Sequence, residues 1–424
     1  MNQLQLFLPC AAGVEGYLAD EVHRITGLSG QDLLTGRGGV VARASWRDAM
    51  RLNLYSRLAQ RVLVQLSHTM YRSEKDLYDA ASAVAWEIWF TTKQTFKIEI
   101  TAQHSPLNSL NFAALKIKDA VADRFRAKHG VRPDVETRWP DVRIYAHLTT
   151  DMATLYIDTS GEPLFKRGWR EDKGDAPLKE TLAAAMIAAS GWADGEGDLL
   201  PLYDPCCGSG TVVIEAAQIA CNIAAGSMRR FAFEKYRPFR APEWAAMKAE
   251  AAQAVVKPEP GQATLLYGSD VSHRMVDFAQ RNAERAGVAD VIEFRGGDAL
   301  QRMPPTDVPG VMLVNPPYGE RIEAGGFAGT ARFGARELPE TEASGDGGGD
   351  GGEFFSKLAT HWKKNYSGWT AWVLTPDLKL PSKMRLKESR RVPMWNGPLE
   401  CRLFKFEMIK GSAREKAGEK PSAP

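Results

Sequence analysis

Cysteine is scarce in this 424-residue chain. The five present are Cys10, Cys206, Cys207, Cys221 and Cys401. The count is odd and no pair has metal-ligand spacing, which argues against a disulfide-stapled fold or a structural zinc and for a reducing cytoplasm. Long apolar runs are also lacking. The longest, Leu182 to Ala193, is interrupted by Ser190 and Gly191 and falls short of the roughly 18 residues of a membrane span. Met1 to Gly13 is apolar, but no Lys or Arg precedes it, so it reads as a first strand rather than a signal peptide. Neither charge sign dominates: 54 Lys and Arg face 52 Asp and Glu, a net charge of +2 that says little about partners.

What is there is an ordinary globular composition, 44% hydrophobic, 25% charged and 9% aromatic, in a chain long enough for two or three domains. Gln3 to Leu8, Gly38 to Ala42 and Gln60 to Ser67 read as strands. Gly13 to Gly27 and Asp48 to Leu58 carry helical spacing between them. This alternation suits a small α+β ferredoxin-like unit. Phe96 to Ala102 predicts a strand, Ser109 to Lys128 an amphipathic helix with a basic outer face, and Val142 to Leu148 with Met152 to Asp158 a strand pair.

A polar stretch from Asp172 to Pro177 marks a domain edge. Beyond it, long helices alternate with short apolar strands at Leu202–Tyr203, Thr264–Tyr267, Val291–Phe294, Val311–Val314 and Trp369–Leu374, the pattern of a buried parallel sheet. Arg390 to Trp395 and Leu399 to Phe406 form a hairpin turning at Asn396-Gly397. Residues 344–352 are Gly/Asp-rich and read as a flexible loop; the tail from 411 reads as disordered.

The strongest local signal is Asp204-Pro-Cys-Cys207-Gly208-Ser-Gly210-Thr211, which follows a strand and opens the helix Val212 to Ala220. Glycines there let a ligand approach the backbone, and the helix start offers free N–H donors. The spacing is neither a P-loop nor G-x-G-x-x-G, and tight strand–helix turns often use glycine structurally. Two further acids follow strands: Asp270, placed to accept from ribose hydroxyls, and Asp298 before Ala299, where a carboxylate can meet an adenine amine. Each aspartate alone reads as an N-cap; three in register with successive strands do not. Asn315-Pro316-Pro317-Tyr318 follows the strand Val311–Val314. The prolines leave carbonyls as outward acceptors. The Asn315 side-chain oxygen and the Pro316 carbonyl can hold the two hydrogens of an exocyclic base amine, so that its lone pair aims at an electrophilic methyl group, with Tyr318 stacked on the flipped-out base. The plain alternative is an Asn-Pro turn capping a strand.

On these residues the sequence resembles a known family. Asp204 to Thr211 is similar to motif I of class I S-adenosylmethionine-dependent methyltransferases, and Asn315 to Tyr318 to the amino-methyltransferase motif IV. Leu178 to Ala185, Asp204 to Ala217, Asn315 to Arg321 and Asn396 to Leu399 resemble bacterial 23S ribosomal RNA guanine-N2 methyltransferases. Asp76-Leu77, Asn108 to Ala120 and Pro140 to Arg143 resemble their THUMP region. The resemblance implies an α/β fold: a class I (Rossmann-like) methyltransferase domain preceded by N-terminal α+β ferredoxin-like and THUMP units. The expected bounds are 1–66 ferredoxin-like, 67–160 THUMP and 161–410 methyltransferase, with 411–424 a disordered tail. Family members with a second methyltransferase domain make 7-methylguanine; with no such domain here, that activity is expected to be absent.

The resemblance further implies S-adenosyl-L-methionine as cofactor. Asp204, Cys207, Gly208, Gly210 and Thr211 would shape the methionine end of its pocket, with Lys179, Glu180 and Thr181 approaching from the preceding helix. Asp270 would bind the ribose, and Asp298 with Ala299 would flank the adenine. Asn315, Pro316, Pro317 and Tyr318 would hold the target guanine. The implied partner is 23S ribosomal RNA or a large-subunit assembly intermediate, with no metal, no membrane and a monomeric protein in the cytoplasm. Rival readings are a tRNA guanine-N2 enzyme, a DNA adenine-N6 enzyme and a non-catalytic assembly factor. Cys206 and Cys207 sit in the cofactor loop and read as inert. The aromatic–basic stretch 231–244 suits a packed insertion better than an RNA clamp. The cluster Lys379, Lys383, Arg385, Lys387, Arg390 and Arg391, against Asp377 and Glu388, is either a solvated edge or an RNA phosphate contact.

Overall fold

The computed structural model describes residues 3–174, 177–194, 199–257, 265–316 and 351–409. They fall into two compact units. The first comprises Met1–Arg170, Lys179–Ala185 and Gln218–Pro258, the second Glu171–Leu178, Met186–Ala217 and Glu259–Pro424.

The first unit opens with β1 (Leu4–Pro9), α1 (Glu15–Thr26), β2 (Leu33–Gly36), β3 (Gly39–Ala44), α2 (Trp46–Tyr55) and β4 (Leu63–Met70). It continues with α3 (Glu74–Ala83), β5 (Phe96–Ala102), α4 (Leu110–His129), β6 (Val142–Leu148) and β7 (Met152–Asp158). Local chemistry accounts for the helix ends. Gly27 closes α1 in the left-handed conformation at φ +77°. Ser45 with Asp48 and Ser73 with Asp76 form reciprocal capping boxes at the starts of α2 and α3. All seven strands join one sheet in the order β2-β3-β1-β4-β7-β6-β5. Strand β4 lies in its middle, antiparallel to β1 on one side and β7 on the other. β2 and α3 were not anticipated from the sequence; the other bounds agree within a few residues.

Helix α7 (Ala241–Gln253) and the aromatic stretch before it belong to this unit. Phe231, Phe233, Tyr236 and Trp244 are all buried, the Phe233 and Trp244 rings meeting edge-on at 5.0 Å. The Tyr236 hydroxyl donates to the Asp158 carbonyl at 2.5 Å. These rings pack and do not present a stacking surface. On α4, Arg124 is no idle surface charge: it makes a bidentate pair with Glu87 at 2.8 and 2.7 Å.

The second unit holds β8 (Leu202–Asp204), β9 (Leu266–Asp270), α8 (His273–Arg285), β10 (Ile292–Gly296), β11 (Val311–Val314), α9 (Gly351–Asn365), β12 (Thr370–Thr375), α10 (Leu380–Met384), β13 (Arg390–Asn396) and β14 (Leu399–Glu407). Helix α5 (Glu180–Ser190) has its residues through Ala185 in the first unit, and α6 (Thr211–Ala220) its residues through Ala217 in the second. The sheet order is β10-β9-β8-β11-β12-β14-β13. The first five strands are parallel, and β14 and β13 join antiparallel. Phe355, Leu358, Trp362, Met312, Val373 and Phe404 share the core on one face.

The hairpin turn is one residue later than expected: Asn396 is the last residue of β13, leaving Gly397 and Pro398 as the loop. Of the segment expected as a loop at 344–352, Gly351 and Gly352 instead open α9. The rest of it, the tail from 411, and both Pro317 and Tyr318 lie outside the described residues. No described helix is long and apolar enough to cross a membrane.

Candidate active site

In a parallel sheet with crossover helices, the strands' carboxyl ends open together onto one edge, where ligands bind. Here β8 ends at Asp204, β9 at Asp270 and β10 at Gly296, paired in register as Asp204↔Gly268 and Asp270↔Gly296. The chain leaves β8 through a tight turn. The Asp204 Oδ1 accepts from the Cys206 amide at 3.0 Å. Cys207 donates its amide to the Ser269 carbonyl at 2.8 Å and accepts that of Gly210 at 2.8 Å. Gly208 and Gly210 have φ of +52° and +89°, which explains the residue type at both. Their surroundings differ. A Cβ on Gly210 would meet Ile214 and Ala279 at 3.0 and 3.1 Å, whereas one on Gly208 would meet nothing within 4 Å. Gly210 therefore packs the loop onto α8, and Gly208 fronts open space.

Asp270 ties the loop to the neighbouring strand, its two oxygens accepting from the Gly208 and Ser272 amides at 3.0 and 2.9 Å. Each carboxylate oxygen keeps a second acceptor site for a ligand hydroxyl. Burial pushes the Asp204 carboxyl up to about 8, opposed by the Cys206 amide and reinforced by Asp270. Burial raises Asp270 as well. Neither has an ion-pair partner among the described residues, so the turn is suited to a ligand carrying a cation and hydroxyls. Burial first, then the neighbouring aspartates, push the Cys206 and Cys207 thiols well above their usual range, which keeps them protonated and inert. Asp298 behaves as a cap: its Oδ1 accepts from the Leu300 amide at 2.9 Å and its carbonyl from Gln301 and Arg302. The Ala299 side chain belongs to the core cluster, so any contact it offers a purine is through its backbone.

Strand β11 lies directly beside β8, with Leu202↔Val311 and Tyr203↔Met312 in register. Leu313 is then level with Asp204, and Asn315 stands two residues, about 7 Å, further along and one strand spacing, about 4.8 Å, aside. Asn315 is half-buried and Pro316 buried. The acidic glycine turn and the Asn-Pro turn thus flank the same stretch of the sheet's edge.

The sequence reading missed a polar node behind this edge. Asn282 on α8 is fully buried. Its amide donates to the Ser209 and Asp172 carbonyls at 3.0 and 2.8 Å, and its oxygen accepts from Arg285 at 2.7 Å and from the Glu171 and Asp172 amides at 3.3 and 3.4 Å. Arg281 and Arg285 clamp the Asp172 carboxylate at 2.9 and 2.5 Å. The node fastens both the glycine turn and the 171–172 segment to α8. Its signal was available: an asparagine among Ala279, Ala283 and Ala286 on the apolar face of a helix. Lys179, Glu180 and Thr181 group with the first unit. There Glu180 is buried against Arg170 at 2.8 Å and Lys179 lies over the Phe165 ring at 5.3 Å.

Three family models match the chain in order: an RlmL ferredoxin-like domain over residues 5–63, a THUMP domain over 71–158 and an RMKL-like methyltransferase domain over 167–329. A protein of Psychromonas ingrahamii called ribosomal RNA large subunit methyltransferase K/L is 37% identical over 408 residues, 96% of this chain and 50% of that relative. Its counterpart in Shewanella amazonensis is 37% identical over 96% of this chain and 54% of its own length. The chain thus spans about half the length of the curated relatives it matches. Among solved structures, SMU.472, titled "a putative methyltransferase complexed with SAH", superposes with a TM-score of 0.79 at 26% identity, covering 97% of this chain and all of its own. A predicted N6-adenine-specific DNA methylase from Listeria monocytogenes superposes at 0.78 with 28% identity and 96% coverage of both chains. In this order the chain carries an RlmL ferredoxin-like domain, a THUMP domain and an RMKL-like methyltransferase domain, the domain set of THUMP-bearing, RlmL/RMKL-like methyltransferases.

Proposed function

We propose that the protein is a cytoplasmic, monomeric S-adenosyl-L-methionine-dependent methyltransferase acting on the exocyclic N2 amine of a guanine in large-subunit (23S) ribosomal RNA. The observation that carries the reading is the pairing of β8 with β11, which sets an acidic glycine turn beside an Asn-Pro turn. The relatives named as large-subunit methyltransferases supply the substrate class.

The residues present fit the cofactor. Gly208 leaves room for its methionine end, the uncompensated Asp204 suits a nearby ammonium, and Asp270 retains acceptor capacity for the ribose. The bound cofactor supplies a methyl group on a positively charged sulfur. Asn315 and the Pro316 carbonyl accept the two N–H groups of the guanine amine and hold its lone pair toward that methyl carbon. When bound, the cofactor would supply that methyl carbon to the amine lone pair and take back the electron pair of its C–S bond. The extra proton on nitrogen then leaves to water. Rate enhancement comes from placing amine and methyl in line within a desolvated cleft.

The test is incubation with tritiated cofactor and, separately, ribosomal RNA, tRNA and DNA, followed by nucleoside analysis. Label in 2-methylguanosine from ribosomal RNA is expected. The Listeria relative's description favours a second reading; label in N6-methyladenosine of DNA would replace the first with it, and label only in tRNA would move the substrate there.

A further inference from the structure

The segment that links β12 to β13 carries Lys379, Lys383, Arg385, Lys387, Arg390 and Arg391 against Asp377 and Glu388. A run of charges like this is usually a solvated edge, and three observations weigh against that here. The first is position. β12 runs parallel to β11 with Val314↔Val373 in register, so Asn315 is level with Leu374, and the basic segment leaves the sheet one strand away from the Asn-Pro turn, at the same carboxyl edge. The second is rigidity. Leu380 and Met384 are buried in the core with Phe355, Leu358 and Trp362 of α9, and Lys363 of α9 donates to the Arg385 carbonyl at 2.8 Å. Arg385 is held at φ +49°, a left-handed conformation uncommon for a side chain of its kind. The third is unbalanced charge. Asp377 pairs with Lys383 at 2.7 Å and Glu388 with Arg391 at 2.5 Å. Lys379, Arg385 and Lys387 are exposed and make no ion pair among the described residues. Leu378, 54% exposed, stands beside them.

We propose that the 377–391 segment is a lip of the base pocket that binds the RNA backbone phosphates flanking the target nucleotide. A nucleotide turned out of its stack leaves its two neighbouring phosphates near the pocket mouth, and a fixed row of cations there holds the strand in the splayed conformation. The proposal rests on the reading of the protein as an RNA methyltransferase. It adds a binding surface outside the cofactor and amine contacts already described.

The test compares the full chain with its K379E/K387E variant. Binding to a ribosomal RNA fragment containing the methylated site is titrated across salt concentrations, and the KM for the same RNA is measured. An unchanged melting temperature and unchanged SAH affinity attest that the variant is folded. The expected result is affinity weakened on the order of ten-fold and a log–log salt slope reduced by roughly 0.7 to 0.9 for each lost phosphate contact. KM rises in parallel, and K379Q/K387Q falls between. Parent-like slope and KM in a variant that still methylates overturn the lip. A parent chain that methylates no RNA overturns the underlying reading instead.

Discussion

At the scale of single residues, the acidic turn and the Asn-Pro turn call for different experiments. Asn315→Ala removes an acceptor for the base amine without touching the glycine turn; the expected outcome is a loss of roughly 10²-fold in kcat with SAH affinity retained. Asp204 gives a pH signature. Its carboxyl, raised by burial to about 8, is mostly protonated in the ligand-free protein at neutral pH. A raised carboxyl contributes to stability below its unfolded value of about 4, and that contribution is lost as pH rises toward 8. A cationic ligand reverses the preference and favours the carboxylate, so binding releases a proton and affinity rises with pH. Calorimetric titration of SAH between pH 6 and pH 8 is expected to show this rise in the parent and a flatter profile in Asp204→Asn. A parent profile as flat as the variant's rejects the assignment.

At the scale of elements, α8 does more than cover the sheet. Asn282→Ala leaves the Ser209 carbonyl and the 171–172 backbone without their partner in a buried setting, an expected cost of about 1–3 kcal/mol. Because Ser209 belongs to the glycine turn, the cofactor KM is expected to rise as well. A surface variant of equal destabilisation serves as comparison: if it raises that KM equally, the node is merely structural. The elements themselves were unevenly legible. Long helices and buried strands such as α4, β6 and β11 declare themselves by period and run length. β2 did not, because Leu33–Gly36 is four residues long with one half-buried position and forms only through pairing with β3. α3 could have been found: Ser73 and Asp76 stand at capping-box spacing, with Asp in place of the usual Glu or Gln. The polar node was hidden for another reason, since Asn282, Ser209 and Asp172 meet only after α8 has packed on the turn.

At the scale of the whole molecule, the sheet of the first unit decides what can fold alone. The ferredoxin-like and THUMP matches end at 63 and begin at 71; β4 occupies the interval and pairs with strands of both. A boundary at 66/67 would divide that strand and expose two unpaired edges. Fragments 1–66 and 67–160 are therefore expected to be unfolded or aggregated when expressed separately. In the intact chain, amides of β1, β4 and β7 are expected to exchange as one cooperative group, measured by hydrogen–deuterium exchange. Independent, stable folding of either fragment would overturn this expectation. What the sequence determined by itself was local: the glycine turn with its acids, the Asn-Pro turn after an apolar strand, and the periods of most elements, because each follows from neighbours a few residues apart. Tertiary structure decided the rest. Pairing of β8 with β11 joins residues 109 positions apart and pairing of β11 with β12 residues 59 apart, as in Leu202↔Val311 and Val311↔Thr370, and only those hydrogen-bonded ladders bring Asp204, Asn315 and the basic lip to one edge.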